Sequence, residues 1–396
     1  MNRNKKIEYI QKYCTGCGLC SSEFNTQFKK DKNGFPTVEI HDENLDIFEE
    51  VCPIFYYKDT TNQKIWGSVY QALIGFSSDK EIRYKAASGG ALTSLCIELL
   101  SSHEVDAIIH TTFDPNDPTR TITCISVDVD ELVSRCGSRY SISSPLENIN
   151  SIIEQGKRYA FVGKPCDVMA LRRRMKNNGE LQKSIIFLLS FFCAGEPSIK
   201  SQNELINAVG TVKDNVASIS YRGNGWPGFY TVKTKAGDTY KIEYSKSWGL
   251  YLGRDIRYTC RFCLDGTGDA ADVVCADFWE LNNYGKPDFS EHEGRNIIIS
   301  RSEKGNSLLN AAIKSNRLTI IDNYTERIDS HLHLYQPGQY MRKCAMRSVV
   351  SAMKCTRKQP PIYNKNILKK YSSRLDNKTK MRYFIGTIKR VIEGKI

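Results

Sequence analysis

The chain has 396 residues, of which 40% are apolar, 25% charged and 10% aromatic, the balance of a globular protein with a large core rather than of a disordered one. Its net charge of +12 is unevenly placed: residues 338–396 hold sixteen Lys+Arg against two Asp+Glu, whereas residues 1–337 sum to −2. The start is basic but lacks the apolar run of a secretory signal, and the longest apolar run, Ile185 to Gly195, is too short to span a bilayer. A cytoplasmic location is therefore expected, where fourteen cysteines point to bound metal rather than to disulfides.

Residues 1–60 read as a small cysteine-bearing module, and the polar stretch Lys58 to Lys64 as a linker. A larger body, 65–335, follows. SVYQALIGF, VDAIIHTTF and TITCISVDV have strand character, and ASGGALTSLCIELLSS has helical spacing with Ala91, Leu95 and Leu99 on one face. From Arg158 strand and helix alternate: RYAFVG, VMALRRRMKN, SIIFLLSFFC, SIKSQNELINAV. That order predicts a βαβ unit with parallel strands. VASISYR, FYTVKT and TYKIEYS read as antiparallel strands, VVCADFW and NIIISR as further strands, and KGNSLLNAAIKSN as a helix. Residues 338–396 read as a basic, helical C-terminal segment. The chain has no internal repeat. The fold class is thus α+β: a small N-terminal module, a larger mixed α/β body and a helical tail.

Cys14, Cys17 and Cys20 stand at C-x2-C-x2-C spacing, which wraps three thiolates around the corners of an iron–sulfur cube. Gly16 and Gly18 permit the positive φ angles such a loop needs. Cys52-Pro53 offers the fourth thiolate, so these four read as the ligands of one 4Fe–4S cluster. Zinc is the alternative, but zinc ribbons favour two separated C-x2-C pairs. A second set is less determined by spacing. Cys260 and Cys263 make one C-x2-C pair, and Cys166 and Cys193 each follow a strand of the βαβ unit, at what would be one sheet edge. These four either complete a second cluster, or Cys166 and Cys193 are small buried residues.

Two stretches suit an anionic, aromatic ligand such as a flavin. Ser88-Gly89-Gly90 precedes a helix and exposes backbone N–H groups, with Ser88 as the expected N-cap. YRGNGWPGFY combines Arg222 for a phosphate or carboxylate with Trp226 for ring stacking. A Gly-rich hairpin with a packing Trp is the plainer reading.

The order of these segments resembles the coenzyme F420 hydrogenase/dehydrogenase beta-subunit family. The matching stretches are C-x2-C-x2-C…C-P, SGGALTSL, GSRYSISS, VGKPCDVMALRR, CAGEPS, YRGNGWPG, CRFCLDG and ADFW. The resemblance implies a ferredoxin-like N-terminal 4Fe–4S module, a flavin (FAD or FMN), and a second 4Fe–4S cluster on Cys166, Cys193, Cys260 and Cys263. It also implies flavin-site roles for Ser88, Gly89, Gly90, Thr93, Ser138, Arg139, Tyr140, Lys164, Arg222, Asn224, Gly225, Trp226 and Asp277. Arg139 stands where the family favours Lys, and Glu280 where it often has Gly. The implied activity is an oxidoreductase that passes electrons between a hydride donor, coenzyme F420 or another, and the clusters through the flavin. The alternatives are a ferredoxin-dependent flavin reductase acting on a sugar or polysaccharide-biosynthesis intermediate, and a non-catalytic electron relay. The expected partner is a redox protein, either a ferredoxin or a hydrogenase/dehydrogenase subunit. The basic tail is expected to dock an acidic partner or an anionic membrane, to take no part in the electron path, and to bind no specific nucleic acid.

Overall fold

The computed structural model describes residues 2–24, 26, 28–31, 33–40, 45–60, 62 and 64–396. The expected linker, 58–64, lies partly outside the described residues, at Thr61 and Gln63. The N-terminal segment is mostly helical, with one antiparallel hairpin of β1 (Phe28–Lys30) and β2 (Pro36–Val38).

An eight-stranded mixed sheet forms the body. Its strands are β3 (Gln71–Ser77), β4 (Ala107–Phe113), β5 (Thr121–Ser126), β6 (Tyr159–Gly163) and β7 (Ile185–Phe191). After a separate antiparallel sheet of β8 (Val216–Ser220), β9 (Phe229–Thr234) and β10 (Thr239–Glu243), the large sheet resumes with β11 (Val273–Asp277), β12 (Asn296–Ser300) and β13 (Leu318–Asn323). The spatial order is β13-β3-β12-β11-β7-β6-β4-β5. The middle four, β11, β7, β6 and β4, run parallel; every outer pairing is antiparallel.

Strand β7 sits at the centre, so both of its faces are covered. That is why IIFLLSF is apolar at every position but Ser190 instead of alternating. One face packs on the helices Ala91–Ser101 and Glu303–Lys314, the other on Pro165–Met175. Pro165 opens the last of these where a missing N–H costs nothing, and Asp167 accepts from the Lys164 N–H at 3.0 Å. β6, this helix and β7 are the expected βαβ unit, with Gly163 in register with Ser190.

The C-terminal helices pack on the body along the apolar positions that include Val349, Val350 and Met353. Tyr9, Ile10, Tyr13 and Phe55 of the N-terminal segment share one buried cluster with Phe262 and Leu264 and with Met346, Val350, Met353 and Leu368 of the C-terminal helices. Lys343 is 2% exposed, its ammonium donating to the Ile65 carbonyl at 2.7 Å and to Thr267 at 2.8 Å. The C-terminal helices therefore belong to the folded body, with Tyr383 and Ile396 packed against its buried clusters. Among the described residues no helix is long and apolar enough to cross a membrane.

Candidate functional site

The first cysteine set is built on short elements. Cys14 ends the helix Arg3–Tyr13, Cys20 lies in Leu19–Phe24, and Cys52 precedes the 3-10 turn Pro53–Phe55. Between them Gly16 and Gly18 have φ of 71° and 94°. A side chain at Gly18 would fall 2.5 Å from the Glu147 backbone nitrogen, so the loop lies directly on the body. Burial first, then charge on the neighbouring thiols, drives the Cys17 and Cys20 thiols far above their ordinary pKa. Cys52 behaves alike, with Cys17 and Cys14 among its neighbours. The structure thus brings the four expected thiols together.

The second set gathers at the carboxyl ends of β6 and β7. Cys166 is in the first turn of Pro165–Met175, Cys193 lies just beyond β7, Cys260 lies within the 3-10 turn Tyr258–Phe262, and Cys263 caps its end. The latter two segments are laced together. The Arg257 N–H donates to the Glu196 carbonyl at 2.8 Å, and Ser198 to Asp255 at 2.6 Å. Cys166, Cys193, Cys260 and Cys263 all line one cavity that opens partly to solvent. Burial, then charge on Cys260, pushes the Cys193 thiol up to about 12; burial, then Asp265, does the same for Cys263. Among the described residues no group of His, Cys, Asp or Glu stands ready-made around a single metal ion. The thiols instead surround a shared space. Buried thiols that disfavour one another's ionisation would ionise together only against a multivalent cation.

A buried charge network joins the two sets. Arg257 donates through Nε to Glu196 at 2.6 Å and through Nη1 to the Pro36 carbonyl at 2.9 Å. Its Nη2 has no partner, and a Cβ on Gly16 would fall 2.4 Å from it. Glu196 also accepts from the Lys164 ammonium at 3.1 Å, and Lys164 reaches Asp167 at 3.3 Å. Burial works to raise the Glu196 carboxyl, but Arg257 and Lys164 outweigh it and hold the pKa below the ordinary value. For Asp167 burial wins, and its carboxyl rises to about 6. Lys164, expected at the flavin, lines the thiol cavity instead.

The other expected flavin residues converge on an aromatic wall. Trp226 stacks on Trp279 at 4.6 Å between ring centroids, and Trp279 on Tyr244 at 5.9 Å. The Arg222 guanidinium lies 4.3 Å from the Tyr244 centroid and pairs with Asp277, at the end of β11, at 2.9 Å. Tyr140 meets Trp248 at 5.1 Å and Tyr221 at 5.5 Å, while Arg139 lies over Phe113 at 4.0 Å. Thr93 contacts Cys136 at 3.5 Å, and the Cys136 and Ser138 carbonyls accept from Arg139. Asn224 (φ 54°) and Gly225 (φ 114°) shape the turn before Trp226. Arg139 Nε, Arg222 Nη2 and Trp226 Nε1 are buried donors without partners. Three orphaned donors beside stacked rings fit an aromatic ligand with acceptor groups.

The Ser88–Gly90 expectation is corrected in detail. Gly90, with φ of 77°, is the N-cap. Ser88 donates to the Arg295 carbonyl at 2.9 Å, and Asn296 Oδ1 accepts from the Ala91 N–H at 3.1 Å. A side chain on Gly89 would fall 2.7 Å from Asn296 Oδ1 and 2.9 Å from the Arg295 Cα. The glycine is needed for chain-on-chain packing, and the helix start is already capped by protein. Arg257, Glu196, Tyr244 and Asn296 were not singled out in the sequence. Arg257, three residues before Cys260, and Glu196, three after Cys193, could have been found by their fixed offset from a thiol.

Comparison with known proteins adds the following. The N-terminal part of the family described as "Coenzyme F420 hydrogenase/dehydrogenase, beta subunit" matches residues 72–150, and its C-terminal part matches 156–325. The chain is 24% identical over 258 residues to coenzyme F420 hydrogenase subunit beta of Methanococcus voltae, covering 63% of this chain and 83% of that one. It is 22% identical over 302 residues to the chloroplastic 7-hydroxymethyl chlorophyll a reductase of Oryza sativa subsp. japonica, covering 75% of this chain and 60% of that protein. In structure it is similar to a chain of the F420-reducing [NiFe] hydrogenase complex from Methanosarcina barkeri. The TM-score is 0.57 at 18% identity, over 76% of this chain and 98% of that one.

Proposed function

Because the chain belongs to the coenzyme F420 hydrogenase/dehydrogenase beta-subunit family, we propose that it is an iron–sulfur flavoprotein oxidoreductase. Cys14, Cys17, Cys20 and Cys52 would hold one 4Fe–4S cluster, and Cys166, Cys193, Cys260 and Cys263 a second. The wall of Arg139, Tyr140, Arg222, Trp226 and Asp277 would hold the flavin. When bound, a flavin takes up an electron pair as hydride and a cluster passes one electron at a time, so together they split the pair. The residues of this chain do the positioning. Arg222, pinned by Asp277 and stacked on Tyr244, offers Nη2 to an acceptor group. Trp226 and Trp279 present a rigid ring face. Arg257 and Lys164 place buried positive charge beside the thiol loops, where thiolates and sulfide concentrate negative charge.

The observation that carries this reading is the cavity. Four thiols from three separate segments line it together with Tyr13 and Thr15, which flank Cys14 of the other set. The electron donor is proposed to be a deazaflavin of the F420 type, and the partner a redox protein, by analogy with the named relatives. A second reading, a flavin-dependent reductase of a small organic substrate, draws on the similarity to 7-hydroxymethyl chlorophyll a reductase. The test is reduction of the anaerobically purified chain with reduced F420, NAD(P)H or reduced ferredoxin in turn, watching flavin and cluster absorbance. Bleaching by reduced F420 supports the first reading. Bleaching by ferredoxin alone supports the second, and bleaching by none, even with dithionite, would overturn both.

A further inference from the structure

The helix Asn377–Ile392 carries a surface that nothing in the redox assembly uses. It is capped by Asp376, which accepts from the Thr379 N–H at 2.8 Å, and it packs on the helix Pro337–Cys355 through an inner face centred on the buried Thr387. The opposite face is open: Met381 and Ile385 are each 57% exposed and Ile392 is 79% exposed. Lys378, Arg382 and Lys389 are exposed beside them. At 3.6 residues per turn these six positions fall within roughly 100° of arc, the three apolar ones on one side and the three basic ones on the other.

Charge decides what fits this face. Residues 377–396 hold six Lys+Arg and one acid, Glu393, which is already paired with Lys395 at 2.9 Å and Lys389 at 3.9 Å. The preceding helix, Lys365–Ser372, adds exposed Lys365, Lys369 and Lys370. A surface of one sign over its whole extent is the complement of a surface of the opposite sign over its whole extent. Apolar side chains in a stripe, bordered by Lys and Arg on a helix too polar to cross a bilayer, are the pattern of a helix lying in a lipid interface. We infer that Asn377–Ile392 docks the protein on an anionic membrane surface, with Met381, Ile385 and Ile392 in the headgroup–acyl boundary and Lys378, Arg382 and Lys389 on lipid phosphates. The inference stands apart from the proposed redox function and needs no cofactor.

The test is co-sedimentation of the full chain with phosphatidylcholine vesicles, with and without phosphatidylglycerol, over a salt series. Wild type should bind the phosphatidylglycerol vesicles at least about tenfold more strongly than the neutral ones, and less as salt rises. Ile385→Ser should cost about tenfold by removing buried apolar surface, and Lys378→Glu/Arg382→Glu/Lys389→Glu should abolish binding. Lys183→Glu, at an exposed lysine on another helix, should leave it unchanged. Unaltered circular dichroism keeps the variants interpretable. Binding that survives Ile385→Ser at full strength would reduce the contact to charge adsorption and overturn the inserted stripe. Absence of vesicle binding would overturn the inference, and concentration-dependent dimerisation lost in Ile385→Ser would assign the face to a second copy.

Discussion

Arg257→Leu probes the joint between the two thiol sets. Arg257 and Glu196 are 3% and 4% exposed and meet at 2.6 Å. Removing one partner of a buried pair leaves an uncompensated charge, at a cost of about 3–5 kcal/mol. Here Lys164 remains beside Glu196 at 3.1 Å, so the low end applies, about 3 kcal/mol. With about 2.1 cal/mol/K of unfolding entropy per residue, the 396 residues give about 0.8 kcal/mol/K, so Tm should fall by about 4 °C. Calorimetry on Arg257→Leu, Glu196→Gln and the double variant closes a cycle. The double variant should be less destabilised than the sum of the singles by about 2 kcal/mol, since each single strands the other's charge. Additivity within about 0.5 kcal/mol would refute the reasoning and make Arg257 a packing residue.

Gly16→Ala should destabilise by about 1–3 kcal/mol and lower iron content, because φ is 71° and the new Cβ would fall 2.4 Å from Arg257 Nη2; normal iron and Tm would contradict it. Arg222→Leu should retain iron and lose flavin at least about tenfold, read as flavin per chain after gel filtration. Gly89→Val should fail to fold whether or not flavin is supplied, since its side chain meets the Asn296 and Arg295 backbone; rescue by added flavin would argue otherwise. His110, beside Ser126 at 2.9 Å, is held neutral by burial and by Arg135 and Arg139, with its pKa lowered to about 4. The unfolded chain takes up that proton first, so stability is full above about pH 6.5 and falls as pH drops toward 4, by up to about 3 kcal/mol at 1.36 kcal/mol per unit. His110→Asn should lack that part of the slope in pH-dependent denaturant titrations.

The central architecture was legible because its signals are local. Apolar runs on either side of a helical stretch define β6 and β7, and thiols at their ends follow the chain to one sheet edge. Cys14, Cys17 and Cys20 needed only spacing. What stayed hidden depends on contacts across long sequence distances. Asn296 caps the helix that starts at Ala91, and no pattern near Ser88 announces an acceptor two hundred residues away. Strand β13 was missed because it is a short edge strand whose buried Leu318 and exposed Ile321 give a weak alternation. In the tail the stripe of Val349, Val350 and Met353 was legible as a packing face, but the reach of the basic side chains was not. Sixteen basic residues suggest a solvated arm, yet Lys343 is enclosed and Arg342, Pro361 and Tyr363 line the thiol cavity. A charge count reads composition, whereas burial follows the apolar stripe of Cys344, Ala345, Ala352 and Met353.

The most direct measurement is the iron, acid-labile sulfide and flavin content of anaerobically purified protein, for the wild type and for Cys260→Ser. The account predicts about eight iron and eight sulfide per chain with a stoichiometric flavin. In Cys260→Ser about half of the iron should be lost and the flavin kept. Zinc in place of iron, or about four iron that Cys260→Ser leaves untouched, would contradict it.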